Sequence, residues 1–368
     1  MTELLLRTRD AKPAAALMKE GRLVEYWDLE YDAGLSSGAI LLGKAGRTMK
    51  GIGALFVTLP GGKEGFLPFN ETRGERLPQA GDPLLVQVKK PPIAAKSAYL
   101  TMDVALPGRY CVLLPLGDGA HASARARDHI ALKNLAKKLR PDGMGLVLRK
   151  NAEDAAREDV EAEIASGAAL WAELSTAAKR RSAPALLLEA PGPLEKILRD
   201  LADMPERVLA DDEKAAAPLG LPVRLHEDPF GLNSVGQQLE QALRRRVHLP
   251  SGGNVVLDQC EAALLIDVNS ANDTRGEGGS ALRVNLEAAD EIARLLRLRR
   301  AGGIILIDFI DMRDDAQRQR VLGAFRAALR DDRALTEVLG FTRLGLLEMT
   351  RKRADSPLAG GAQEDTDA

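Results

Sequence analysis

Two short apolar runs, ALLID at 263–267 and GIILID at 303–308, each end in an aspartate. Between them lies one amphipathic segment of helical period, so the stretch reads as strand, helix, strand. A crossover helix normally joins parallel strands of one sheet, which puts Asp267 and Asp308 near the same carboxyl edge. Neighbouring strands lie about 5 Å apart, so both carboxylates can then reach one hard cation. Asn269 adds a neutral polar group beside them. Magnesium takes one or two carboxylates and keeps several waters, so this is a plausible magnesium site for phosphoryl chemistry. Two close carboxylates repel and raise one pKa unless a cation is present. Taken alone, strand-end aspartates also cap turns or helices, and both readings stand at this point. Asp311, three residues past Asp308, either supports the same edge or caps a helix starting near Asp315.

The elements that must position these residues belong to a chain of 368 residues, enough for two or three units with their own cores. Hydrophobic residues make up 45%, which excludes a disordered chain. No apolar run is long enough to span a bilayer, and MTELLLRTRDAKPAA carries charges inside its apolar patch, unlike a signal peptide. Cys111 and Cys260 are isolated, which suits a reducing cytoplasm, and two cysteines with four scattered histidines make structural zinc unlike this chain. The net charge of −2 speaks against a polyanion ligand, but its distribution does not. Residues 37–101 hold nine Lys/Arg against four Asp/Glu, and residues 121–150 hold eight against two. Such local basic surfaces bind phosphates even in an acidic chain, although ordinary solvated charge has the same count.

Along the chain, 1–36 reads as two short strands with a turn at 19–22. Residues 37–101 carry many glycines and apolar runs at 39–42, 54–59, 65–68 and 84–88, the punctuation of a small β-barrel. Strands at 110–114 and 145–148 mix with helices over 127–139 and 154–181. A strand and turn follow at 184–193, then helices over 194–202 and 237–246. The tail, 356–368, has three acids and no aromatic residue and is expected to be disordered.

Several motifs in one order now matter together: GFLP at 65–68, GMGLVLR at 143–149, LPSGG at 249–253, IDVNS at 266–270, TRG at 274–276, NLEAADEIARLLRLR at 285–299, IDFIDM at 307–312 and GLLEMTRKR at 345–353. With them the chain resembles the ribonuclease E/G family of bacterial endoribonucleases, densely over 240–353 and collinearly back to the N-terminus. The resemblance implies an α/β multidomain fold. A ribonuclease H-like subdomain (1–36 and 188–244) is interrupted by an S1, OB-type barrel (37–101) and a 5′-sensor region (102–187). A DNase I-like catalytic subdomain (245–355) and the tail complete it. It also implies a cytoplasmic, magnesium-dependent endoribonuclease of single-stranded RNA, active in RNA processing and decay and leaving 5′-phosphate and 3′-hydroxyl ends. Manganese is a possible substitute for the ion.

Residue by residue, the resemblance makes Asp267 and Asp308 the magnesium ligands and lets Asn269 help hold the scissile phosphate. Phe56, Phe66 and Lys96 match positions that stack on bases or contact the RNA backbone, whereas a phenylalanine in a strand would by default pack in a core and a lysine be solvated. Another family aromatic position holds Leu59, which implies a smaller stacking surface. The 5′-monophosphate grip pairs an arginine with a threonine; here Arg149 is kept and Lys150 stands for the threonine, a point charge in place of a hydroxyl donor. By default both would be surface charges at a strand end. The loop 274–285 is shorter than in the best-known enterobacterial members, by about two residues, and glycine-rich where theirs carries acids. Tetrameric members carry a C-P-x-C pair and a small dimerisation domain after the GLLEM strand. With no cysteine after Cys260, the architecture is expected to end at the catalytic core, as a monomer or dimer without zinc. A different class, an RNA-binding protein with a weak or silent site, is favoured by the short loop and fewer aromatics and opposed by the retained Asp267, Asn269 and Asp308. A DNA-directed phosphoesterase would explain the metal site but not the barrel.

Overall fold

The strand Ala263–Asn269 alternates in burial, with Leu264, Ile266 and Val268 inward and Leu265, Asp267 and Asn269 outward. That is the pattern of a sheet packed on one face only. In the computed structural model, which describes residues 1–10, 12–29, 35–74, 76–92, 96–270, 280–353 and 358, this strand is central in a six-stranded sheet. The order is Arg246–His248, Asn254–Gln259, Ala263–Asn269, Gly303–Asp308, Leu347–Arg351 and Thr336–Phe341. Only the pair Ala263–Asn269 and Gly303–Asp308 is parallel, and the helix Ser280–Leu298 makes the crossover between them. Residues 271–279, with TRG and the first half of the expected 274–285 loop, lie outside the described residues, as does the tail apart from Leu358; the second half of that loop is already helix, from Ser280.

That helix is buried on two sides rather than one. Val284, Ala288, Ile292, Leu295 and Leu296 join the core of the sheet. On another side, Arg294 pairs with Glu291 and donates from Nη1 to the Leu23 carbonyl at 2.8 Å. The partner layer is a five-stranded sheet ordered Val223–Leu225, Arg207–Ala210, Thr2–Arg7, Ala14–Lys19 and Arg22–Asp28. Three strands, not two, occupy its N-terminal part. The turn at 19–22 falls where expected, with Glu20 and Gly21 at positive φ. Thr2–Arg7 pairs in parallel with Arg207–Ala210, so the chain leaves this layer and returns to it. The chain accordingly forms two compact units, 1–30 with 201–368 and 31–200.

In the second unit, Ile40–Met49, Ala54–Thr58, Glu64–Pro68, Ala98–Thr101 and Pro83–Lys90 form a closed five-stranded barrel. Ile40–Met49 closes it by pairing with both Ala54–Thr58 and Pro83–Lys90. Leu41, Leu55, Val57, Leu59, Leu67, Val86, Val88 and Leu100 fill the interior. Beyond it, a four-stranded sheet (Leu106–Pro107, Cys111–Leu114, Gly145–Leu148, Ala120–Ala122) packs with the helices His129–Leu139 and Arg157–Arg180. Asp128, not Arg127, opens the first of these helices, its side chain accepting from the Ala131 N–H.

Candidate active site

Strand register does the positioning. Asp267 and Asp308 are direct partners on the adjacent parallel strands. Equal register puts both side chains on the open face, about 5 Å apart at the backbone. Asn269 lies on the same face, and its Nδ2 donates to Asp267 Oδ2 at 2.7 Å. One carboxylate oxygen is thus oriented by a neutral donor. Burial, then Asp267, then Asp311 push the Asp308 carboxyl above the ordinary carboxylate range. Asp311 is therefore within electrostatic reach of Asp308. It does not cap the following helix. Asp314 does, its side chain accepting from the Gln317 N–H ahead of Asp315–Ala328. Two repelling carboxylates and an amide form a donor set suited to one hard divalent cation that keeps most of its waters.

Two residues that position this edge escaped the sequence reading. Asn285 is fully buried on the crossover helix. Its Nδ2 donates to the Ile310 carbonyl at 2.8 Å, and its Oδ1 accepts from the Ile310 N–H at 3.0 Å. This two-bond clamp fixes the backbone between Asp308 and Asp311. The second is Gly253, in the LPSGG turn. Leu249 donates to the Gly253 carbonyl, and Ser251 donates to the Glu287 carboxylate. A Cβ at Gly253 would stand 2.6 Å from the Asn269 carbonyl oxygen, so only glycine lets the turn approach the strand end.

On the barrel, Phe56 is paired with Phe66 across strands and Phe66 with Tyr99. The rings form a row on the outer face, with centroids 5.9 Å and 6.0 Å apart. The Arg47 guanidinium stands over Phe56 at 4.8 Å, and Lys90 Nζ lies 5.9 Å from the Tyr99 centroid. All three rings are half-buried and none belongs to the barrel core, so core packing does not account for them. Leu59, by contrast, is completely buried, so the outer row loses nothing there. Tyr99 supplies a third ring that was not anticipated. Lys96 is exposed on the approach to Ala98–Thr101.

Arg149 follows the strand Gly145–Leu148. Its guanidinium donates to the Gly108 carbonyl at 2.8 Å and to Asp200 Oδ1 at 2.7 Å. It is a held residue and not a loose surface charge. Lys150 is half-buried at the start of the 3-10 turn Lys150–Glu153.

The geometry can be set beside known proteins. The sequence model of the ribonuclease E/G family matches residues 105–354. Ribonuclease E of Nostoc sp. is 34% identical over 354 residues, covering 86% of this chain and 51% of that protein. Ribonuclease E of Escherichia coli is 33% identical over 397 residues, covering 97% of this chain and 37% of that protein. Ribonuclease G of Escherichia coli is 33% identical over 394 residues, covering 95% and 80%. The chain thus spans about half the length of the Nostoc protein and most of the ribonuclease G chain. A paired-aspartate edge on the matched segment, with similarity running through the barrel to the N-terminus, leads to one conclusion: the chain belongs to the ribonuclease E/G family.

Proposed function

We propose that this chain is a magnesium-dependent endoribonuclease that cuts single-stranded RNA and leaves 5′-phosphate and 3′-hydroxyl ends. The observation that carries the reading is the in-register pair Asp267 and Asp308, with Asn269 bonded to the first. In this reading the N-terminal five-stranded layer is the ribonuclease H-like part, the barrel is of S1 type, and the six-stranded sheet is the DNase I-like catalytic part. Asp267 and Asp308 hold the ion, magnesium or manganese. When bound, it supplies charge neutralisation at the phosphate and Lewis-acid activation. Asn269 has a second amide N–H to donate to a phosphate oxygen while the first orients Asp267. Asn285 keeps the Asp308 backbone in place through Ile310. Water adds at phosphorus, the bond to the 3′ oxygen breaks, and that oxygen leaves with a proton as the 3′-hydroxyl.

A labelled, AU-rich single-stranded RNA incubated with the protein is expected to be cut with magnesium present and left whole in EDTA. Product ends should require phosphatase before they can be labelled at the 5′ position. Undiminished cutting in EDTA overturns the reading. The silent RNA-binding alternative is not favoured, since the outer aromatic row holds three rings and the aspartates are in register. We also read the chain as cytoplasmic and free of zinc, with Cys111 buried in its strand, and as monomer or dimer. Among the described residues no helix is long and apolar enough to cross a membrane.

Gly253→Ala tests the close approach of the LPSGG turn. The added Cβ must displace the Asn269 carbonyl, at a stability cost of about 1–3 kcal/mol. Cleavage is expected to fall roughly tenfold, since a misplacement of about 1 Å costs up to two orders of magnitude. A thermal melt beside the rate separates the two effects. An unchanged rate would show that Asn269 needs no support from this turn.

A further inference from the structure

Arg149 already holds an anion, and that anion is part of the protein. Its frame is rigid. The Glu163 carboxylate accepts from the N–H groups of Arg109 at 2.7 Å, Tyr110 at 2.9 Å and Cys111 at 2.8 Å. A Cβ at Gly108 would lie 2.3 Å from that carboxylate, so the Gly108 carbonyl is locked where Arg149 Nη1 meets it. The other end of the guanidinium, Nη2, is taken by Asp200, the last residue of the helix Pro193–Asp200. Asp200 is held a second time. Arg199 donates from Nε to Oδ1 at 3.0 Å and from Nη2 to Oδ2 at 2.9 Å. Burial alone would raise the Asp200 carboxyl, but Arg199 and then Arg149 hold it below the usual range, so it is ionised.

We infer that Asp200 is a built-in competitor for the phosphate fork of Arg149, and that it makes this site admit a terminal phosphomonoester and refuse an internal phosphodiester. The inference rests on the reading of Arg149 as a 5′-end contact and names what sets its selectivity. The argument is one of charge and connectivity. Arg149 gives Asp200 a single hydrogen bond, whereas Arg199 gives it two. If Arg149 turns to an incoming anion, Arg199 keeps the carboxylate paired, and no buried charge is stranded. A phosphodiester carries one negative charge, no more than the carboxylate it must replace. A terminal phosphate carries about −1.5 to −2 at neutral pH and three acceptor oxygens, so it outcompetes the carboxylate for the guanidinium. Arg109 and Lys196 stand close by, the first with Nη1 on the Leu198 carbonyl at 2.7 Å and the second one turn earlier on the same helix. They keep the neighbourhood positive after the exchange.

The experiment measures affinity and not cleavage. The full chain in EDTA is titrated with one fluorescent RNA of fixed sequence bearing either a 5′-hydroxyl or a 5′-monophosphate. The native protein is expected to prefer the monophosphate by roughly fivefold, the scale of one charge-assisted contact. Asp200→Asn should tighten binding of the hydroxyl RNA by about threefold or more and bring the ratio to within about twofold of one, because the fork is then open to any phosphate. A merely structural role for Asp200 would weaken both RNAs and leave the ratio alone, which overturns the proposal. Arg199→Gln gives an independent reading should Asp200→Asn fail to fold. It strands the displaced carboxylate, so monophosphate RNA should bind more weakly while hydroxyl RNA is unaffected; equal effects on both overturn the proposal. Arg149→Gln separates the two layers. If it leaves the native preference in place, or if the native protein shows none, the 5′-end reading itself fails. If it abolishes the preference while Asp200→Asn and Arg199→Gln preserve it, only the competitor role fails.

Discussion

Asp267→Asn and Asp308→Asn are each expected to slow RNA cleavage by on the order of 10³-fold, while RNA affinity measured in EDTA stays within about twofold. A metal site contributes several kcal/mol of transition-state stabilisation, and each 1.36 kcal/mol is about a factor of ten in rate. An amide keeps the shape of the carboxylate but removes the charge that holds the cation. The folded chain gives a second readout. The Asp308 carboxyl is raised in the folded state by burial and by Asp267 and Asp311. A raised folded pKa means that the folded chain binds this proton more tightly than the unfolded chain does. Ionised Asp308 therefore lowers stability at neutral pH, and that loss sets in as pH rises through the folded pKa. Without metal, Asp308→Asn should melt no lower than the native protein, so inactivity cannot be blamed on unfolding. The rate should also fall at acid pH, along a limb that moves to lower pH as magnesium is raised, because proton and cation compete for the same oxygens. Full activity in either variant, or an acid limb indifferent to magnesium, would remove these residues from the metal-binding role.

How far the site was legible depends on what each signal encodes. Two apolar runs ending in aspartate, joined by a helical segment, are enough to predict parallel strands and a shared edge. They do not set register, and a slip of one residue would send the two carboxylates to opposite faces. Asp267 is the fifth residue from Ala263 and Asp308 the fifth from Ile304, and these are the pairs that form. Strand parity likewise decides the barrel. With Phe56 outward, period two puts Leu59 inward, so the leucine was never a candidate for the outer row. Tyr99 was missed because its strand, Ala98–Thr101, is only four residues long. Asn285 reads as a solvent-facing polar residue in an amphipathic helix. Its role exists only because that helix is covered on more than one side and has its N-terminal turns beside Ile310. Asp200 looks like an ordinary charge at a helix end, and its partner Arg149 is 51 residues away.

Phe66→Ala is expected to weaken RNA binding by at least about tenfold with the barrel intact. Each base–aromatic stack is worth about 1–3 kcal/mol, and about 1.4 kcal/mol is a factor of ten. Phe66 is the middle ring, edge-on to Phe56 and tilted against Tyr99, so its loss also frees its two neighbours. The barrel should survive, because Gly65 and Leu67 on either side are the residues of that strand that face inward. Leu67→Ala is the contrast: it empties fully buried space, at a cost of about 2–5 kcal/mol, and should melt the barrel. Tyr99 then separates stacking from hydroxyl chemistry. Its hydroxyl makes only a 3.5 Å contact to Glu71, so Tyr99→Phe should bind like the native chain while Tyr99→Ala loses affinity. Arg47 and Lys90 flank the row as cations, and Arg47→Gln or Lys90→Gln should each reduce the salt dependence of binding by a slope of about 0.7. If Phe66→Ala instead unfolds the barrel while each folded molecule still binds RNA with native affinity, the row is packing and not a platform. The graded outcome, with the middle ring largest and the outer residues smaller, is what a continuous stacking surface requires and a set of independent surface aromatics does not.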